Sequence, residues 1–512
     1  MTKTIQSITS FILGTTLSLV LFNSAVLAGT LNPSLQSFEA NSLIKADGTY
    51  WEWGGDHAVP IQIHGLSDVE KAFSHQTVVK KDLSVGFWER IETSKVIRYH
   101  EISSLKNLVD VQSKWNDILA LDSEGKVYLL STQGRNDPNQ LDRIAPLAGI
   151  EEVIAVTSYL EYDRQAPELR WAFLKKDGTV WVNKASFPAE AFEPIVALDK
   201  IIDIEQNNAL RLDGTVWGWS NETKSEIGKP LKASPLKELV NVKKLKAYRD
   251  SIVAIDQSKS LWFWGATVTG YSDGTTYHYN PKPVKVISKS DIEDAFIVER
   301  SLIVLTHSGE VHRTTIEREA MPENPEFEHL ISDVEEIKSG SRHIIMKKND
   351  GSLWGWGVNK NGDLGCGDFE FMHSVPQQMQ KPVSIFLNKE LVPLSAGVII
   401  KNGQSFIPLR SVFEKMGASV AWDPRTKSVV INKKEEQSSV TIRVNYTSEE
   451  VFLDQDKITL SNSPFILNNT SYLPLRFISE ALGGKVEWLP NQEKILISLV
   501  EASKGKDRPG IY

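Results

Sequence analysis

The sequence predicts a mainly β chain: a seven- or eight-bladed β-propeller plus a smaller, duplicated α+β domain. Three observations carry this. A hairpin phrase, Asp-Gly followed by an aromatic strand, recurs at intervals of about 35 to 53 residues, the range of propellers and solenoids. Near the C-terminus a second pattern repeats at a constant offset of 66 residues. The chain, 512 residues long, is 41% apolar and 24% charged, which is a folded soluble composition and too long for one ordinary domain.

Residues 1–28 read as a signal peptide. Lys3 gives a basic start, Phe11 to Phe22 is a short apolar run, and Ala25-Val26-Leu27-Ala28 offers a small-residue cleavage site. The run is short and broken by Ser and Thr, so a spanning helix is the weaker alternative, and no membrane span is expected after signal removal. Cys366 is the single cysteine, which rules out an intramolecular disulfide. Export without disulfides points to a bacterium and to a secreted, cell-surface or cell-wall location. Cys366 sits between two glycines with no His or basic neighbour in sequence, so a plain loop thiol is expected. The net charge of −8 argues against nucleic acid, which needs a basic face. Lys504, Lys506 and Arg508 fall in a tail, 501–512, and have Asp507 among them.

Residues 29–380 carry the hairpin phrase. It is fullest at Asn349-Asp350-Gly351-Ser352-Leu353-Trp354-Gly355-Trp356-Gly357 and clear at Asp47-Gly48, Asp177-Gly178 and Asp213-Gly214. Asp-Gly suits a two-residue hairpin turn, because both central residues tolerate positive φ. Weaker copies stand at Glu124-Gly125 and Ser308-Gly309, and Lys259-Ser260 keeps only the strand. Val78 to Val85 is a degenerate copy, for a total of eight. An apolar strand precedes each hairpin, as at Ile202-Asp203-Ile204, and a Pro-led strand follows, as at Val59-Pro60-Ile61. Proline at the start of a strand costs no ladder bond. Four antiparallel strands per unit make one propeller blade. Twelve of the fourteen tryptophans lie here, mostly as Trp-x-Trp, so both members of a pair face one side of the sheet. Blade-to-blade packing is their expected role, in preference to a carbohydrate platform.

The last unit, continuing through Val358-Asn359-Lys360-Asn361-Gly362-Asp363-Leu364-Gly365, closely resembles the repeat of the regulator of chromosome condensation family. That resemblance implies a β-propeller, usually of seven blades. The family's name implies a nuclear exchange factor, which the export signal and acidic charge oppose. Secreted bacterial relatives imply protein binding instead.

Residues 381–500 form the duplicated domain. Pro408 and Pro474, Arg410 and Arg476, Gly417 and Gly483, and Trp422 and Trp488 are each 66 apart. Each half reads strand, short helix, hairpin. The first hairpin turns at Asp423-Pro424 and the second near Pro490-Asn491. Arg410 and Arg476 are expected to bond carbonyls near the helices rather than to bind an acidic ligand. The pattern strongly resembles the copper amine oxidase N-terminal, or stalk, domain. His373 is the last histidine, so this region lacks the imidazoles copper favours. Asn445-Tyr446 superficially resembles the oxidase cofactor motif, and Tyr446 reads as a strand residue.

No catalytic motif, metal-ligand spacing or cofactor motif emerges from the sequence, so no catalytic residue, metal or cofactor is assigned. His343 falls at a repeat position and reads as structural. The repeat is broken at 158–169 and at 266–283. These insertions are expected to be loops on the face opposite the Asp-Gly turns, forming a tyrosine-rich rim of Tyr159, Tyr162, Tyr271, Tyr277 and Tyr279. The expected function is an exported, non-catalytic binding or scaffold protein with a protein or cell-wall ligand. The alternative is an exported hydrolase or lyase, which carboxylates of raised pKa on that face would favour.

Overall fold

The structure is a computed structural model and describes residues 35–90, 97–130, 144–162, 167–183, 191–219, 231–270, 274–434 and 439–499. The proposed signal peptide and tail, and Tyr271, lie outside the described residues. The molecule is mainly β. Among the described residues, eight antiparallel sheets follow one another between Leu35 and Gln378, each built from consecutive strands. Seven have four strands. The third has three, and Pro146 bridges to its outer strand at Tyr128. Every copy of the phrase, including the degenerate one, supplies one sheet.

Eight hydrophobic cores lie between neighbouring sheets. The first and second sheets enclose Ile44, Tyr50, Val69, Val78 and Trp88. The series continues around to the eighth sheet, whose Ile345, Leu353 and Met379 pack on Phe38, Leu43, Trp51 and Trp53 of the first. The ring is therefore closed by packing. Trp217 and Trp219 share one core, as do Trp262 with Trp264 and Trp354 with Trp356. The paired tryptophans are packing residues, and sheet alternation puts both members on one neighbour.

The recurring phrase has a repeated local geometry. Asp47 Oδ1 accepts from the Thr49 N–H at 3.0 Å and the Thr49 hydroxyl at 2.7 Å, and Trp51 Nε1 donates to Thr49 Oγ1 at 3.0 Å. The same relay joins Asp177, Thr179 and Trp181; Asp213, Thr215 and Trp217; and Asp350, Ser352 and Trp354. An aspartate that caps its own turn needs a hydroxyl two residues on, and the indole needs a partner when half-buried. These turns also stitch sheet to sheet. The Gly48 carbonyl accepts from Val69 N at 3.0 Å, Gly178 from Ile201 at 3.0 Å and Gly214 from Val242 at 2.9 Å.

Closure between the eighth and first sheets uses different parts. Loop 359–371 follows the last Trp-x-Trp. Its Asp363 carbonyl accepts from Trp53 Nε1 at 2.9 Å, and its Gly367 N–H donates to Ala58 O at 2.9 Å. His343 is buried, and its Nε2 donates to the Ala40 carbonyl at 2.9 Å, a structural role. The one full copy of the repeat is thus the copy that closes the ring.

In the C-terminal domain the two halves pair with each other. Gln404–Pro408 and Thr470–Pro474 run antiparallel, with Phe406 opposite Pro474, Ile407 opposite Leu473 and Pro408 opposite Tyr472. The 66-residue offset therefore appears as a local twofold. Each strand leads into a helix, Leu409–Phe413 and Leu475–Ala481, and then a hairpin. Arg410 and Arg476 are exposed, and neither makes a hydrogen bond or ion pair among the described residues, contrary to the carbonyl-bonding role expected. Tyr446 follows the strand Ser439–Asn445 directly and packs on Trp422, 6.0 Å between rings. Among the described residues no helix is long and apolar enough to cross a membrane.

Candidate functional site

In a four-stranded antiparallel sheet, the turn between strands one and two and the turn between strands three and four share an edge, opposite the Asp-Gly turns. Both insertions do lie on that edge. Their described residues are strands rather than loops. Val153–Tyr162 pairs with Pro167–Lys175 out to Tyr162 opposite Pro167, and Leu261–Thr269 pairs with Thr276–Val286 out to Thr269 opposite Thr276. The inserted residues extend the ladders because their backbone groups find partners there more cheaply than in a loop.

This changes the rim. Tyr159 is an inward strand residue, 4% exposed, with its ring edge-on to Trp219 at 5.8 Å. It belongs to the core between the fourth and fifth sheets and is not a rim residue. Both faces of this strand are covered by neighbouring sheets, Val156 packing towards the third and Tyr159 towards the fifth, so a residue facing either side of the ladder is buried. Tyr162 ends the strand, and its side chain, like Tyr271, lies outside the described residues. Tyr277 and Tyr279 stand on the extended hairpin, 55% and 58% exposed. The structure brings these two together on one face, since they are two apart on a strand.

Trp115, which sequence reasoning missed, occupies the turn between the first two strands of the third sheet and is 59% exposed. The available signal was its place: it precedes an apolar strand instead of following an Asp-Gly turn. Polar groups surround the centre of the ring on the same face. Tyr248 of the sixth sheet donates its hydroxyl to the Ser341 carbonyl of the eighth at 2.8 Å, spanning the seventh. Arg342 of the eighth sheet makes a two-pronged pair with Glu299 of the seventh, both contacts 2.7 Å. A cleft of about 660 Å³ opens between the first two sheets, lined by Glu39, Asn41, Glu52, Trp53, His75, Gln76 and Asp110 among others.

The first strands face the ring centre with acids. Burial raises Asp110 and Asp203 above the ordinary carboxylate range. Glu205 is pushed up to about 8, mainly by burial and then by the neighbouring Asp203 charge, with Lys246 opposing. Asp110 also acts on Glu205, from the third sheet to the fifth. Asp250 is raised by burial against the pull of Lys114 and Arg249. Glu39 is raised by burial, and Lys338 opposes that shift. That shift favours the protonated Glu205 carboxyl near neutral pH.

Comparison with known proteins fits this architecture. Residues 350–392 match the family model of the regulator of chromosome condensation (RCC1) repeat. Residues 386–497 match that of the copper amine oxidase N-terminal domain. The chain carries a module of each family. No curated protein matches the sequence. Solved structures to which this chain is similar include human WBSCR16, 17% identical over 57% of this chain and 85% of that one, with a TM-score of 0.39. Yeast RCC1 in complex with Kap60 is 14% identical over 72% and 91%, with a TM-score of 0.38. BamB from Moraxella catarrhalis is 11% identical over 64% and 98%, with a TM-score of 0.37.

Proposed function

We propose that this is an exported, non-catalytic binding or scaffold protein whose ligand meets the hairpin face of the propeller, with the C-terminal domain as a stalk or attachment module. The observation that carries it is the extended hairpin of the sixth sheet, which holds Tyr277 and Tyr279 more than half exposed on the face that also presents Trp115. Tyrosine and tryptophan give rigid, amphipathic contact area at low entropic cost. The proposed partner is a protein or a cell-wall polymer. Retention of the mature chain on isolated cell walls and on immobilised culture proteins tests this. Y277A/Y279A/W115A should lower retention at least about tenfold, the loss of one to two anchor contacts, at an unchanged melting temperature. Equal retention by a folded triple variant would overturn it.

A second reading, a hydrolase or lyase, is favoured by the raised Glu205 beside Asp203. Paired carboxylates of separated pKa are the equipment of general acid–base catalysis. Cell-wall polymer cleavage that vanishes in Glu205→Gln would select it over binding alone.

A further inference from the structure

The ring-closing loop and the last strand of the eighth sheet bring together three metal-ligand side chains that are scattered in sequence. Cys366 Sγ lies 3.6 Å from Asp368 Oδ2 and 3.8 Å from His373 Nε2. His373 Nε2 lies 3.0 Å from Asp368 Oδ1. One donor atom from each residue fits within a 4.8 Å cluster, and all three residues are part-exposed. The thiol therefore has an imidazole neighbour after all. A seven-residue separation along the chain hid it, and the fold of loop 359–371 back onto the strand Met372–Gln378 creates it.

We propose that Cys366, Asp368 and His373 form a divalent zinc-class metal site, with water as the fourth ligand, that pins the closure of the ring. The donor set is one thiolate, one imidazole and one carboxylate, which suits Zn²⁺ and not the hard cations that take oxygen alone. Around a tetrahedral Zn²⁺, sulfur sits about 3.5 Å from a nitrogen or oxygen ligand. The two sulfur distances above are close to that. The carboxylate–imidazole spacing is a hydrogen bond's, which the ion would replace. Metal binding needs both the thiol and His373 Nε2 without their protons, so one proton leaves Sγ and the imidazole shifts to its Nδ1–H tautomer as the two metal bonds replace the S–H bond and the Nε2–H···Asp368 hydrogen bond.

The outer shell is in place. Asn359 is fully buried, and its Nδ2 donates to Asp368 Oδ1 at 2.7 Å while its Oδ1 accepts from Leu364 N at 2.9 Å. Glu370 N–H donates to the same Asp368 Oδ1 at 3.0 Å. With Oδ1 held, Oδ2 is turned toward the sulfur, the arrangement by which second-shell groups orient a ligand. The site therefore reads as a clasp. It ties the last strand of the eighth sheet to the loop whose Asp363 and Gly367 hold the first sheet.

The test uses the full chain without a histidine tag, reduced and stripped with chelator. Co²⁺ titration should give a sulfur-to-cobalt charge-transfer band at one ion per chain. Cys366 is the sole cysteine, so that band reports this site alone. Zn²⁺ should displace the cobalt and raise the melting temperature. C366S and H373Q should each weaken Zn²⁺ binding, measured by chelator competition, by more than about 10–100-fold, the cost of losing even an outer-shell partner. Absence of the band in the wild-type chain overturns the proposal whether or not the variants fold. Equal Zn²⁺ affinity in folded C366S overturns it as well.

Discussion

Glu205 is the residue on which the ring centre's chemistry turns. Its neighbours there are Asp203 on its own strand, Lys246 on the sixth sheet and Asp110 on the third. Because its folded pKa, about 8, lies above its unfolded one, the folded chain holds a proton that the unfolded chain has released between those two values. Stability is therefore lost as pH rises from about 4.5 towards 8 and is unaffected below that window. Gln mimics the protonated acid and carries no such cost. Glu205→Gln should melt at the wild-type temperature at pH 4 and several degrees higher at pH 8. A difference that stays constant across that range would show that Glu205 is not held protonated. Sequence could not locate this group. Asp and Glu are abundant along the chain, and only closure of the ring sets the third sheet's Asp110 against the fifth sheet's Glu205.

At the scale of elements, the turns and strands were legible because each obeys a local rule. The Asp-Gly phrase demanded a positive-φ turn, and the 66-residue offset demanded two like halves. The insertions were misjudged because a break in a repeat looks like a loop, whereas the ladder runs on through 158–162 and the neighbouring sheet buries Tyr159. The metal cluster was illegible because it joins residues seven apart through a loop fold that has no sequence signature. The turns also do something the phrase alone did not disclose. Gly214 has φ +81°, and a Cβ there would lie 2.7 Å from the Asn241 Cα in the next sheet. Gly417 has a similar φ, +85°, with nothing within 4 Å. Gly214→Ala should therefore cost about 2–4 kcal/mol, strain plus a forced shift of the neighbouring sheet. Gly417→Ala should cost only about 1 kcal/mol, the φ penalty. Chemical denaturation of the two variants checks this, and equal losses would mean the sheet-to-sheet contact does not matter.

At the scale of the molecule, the first sheet carries two junctions at once: ring closure and the seat of the C-terminal domain. Ala58 and Val59 pack with Ile399, Phe406 and Tyr472 in one apolar cluster. Beside it, Lys45 Nζ reaches Glu493 at 2.9 Å and the Pro382 carbonyl at 2.6 Å, with the Trp51 ring 4.7 Å away. Both charged residues are buried, 4% and 2% exposed. Burial pulls the Lys45 pKa down, and Glu493 pulls it back up, so the ammonium depends on its partner across the domain junction. Removing one member of such a pair strands a buried charge, which costs about 3–5 kcal/mol, whereas replacing both with apolar groups of similar volume is often neutral. Lys45→Met should therefore open the junction: proteolysis between Met379 and Val383 should quicken, and calorimetry should resolve the C-terminal domain melting before the propeller. K45M/E493M should restore much of the single transition, because neither charge is then buried. If Lys45→Met melts like the wild type, the apolar cluster alone seats the domain, and the pair contributes orientation rather than stability. A rigid seat matters to the proposed function because it fixes the direction in which the hairpin face points from its attachment module.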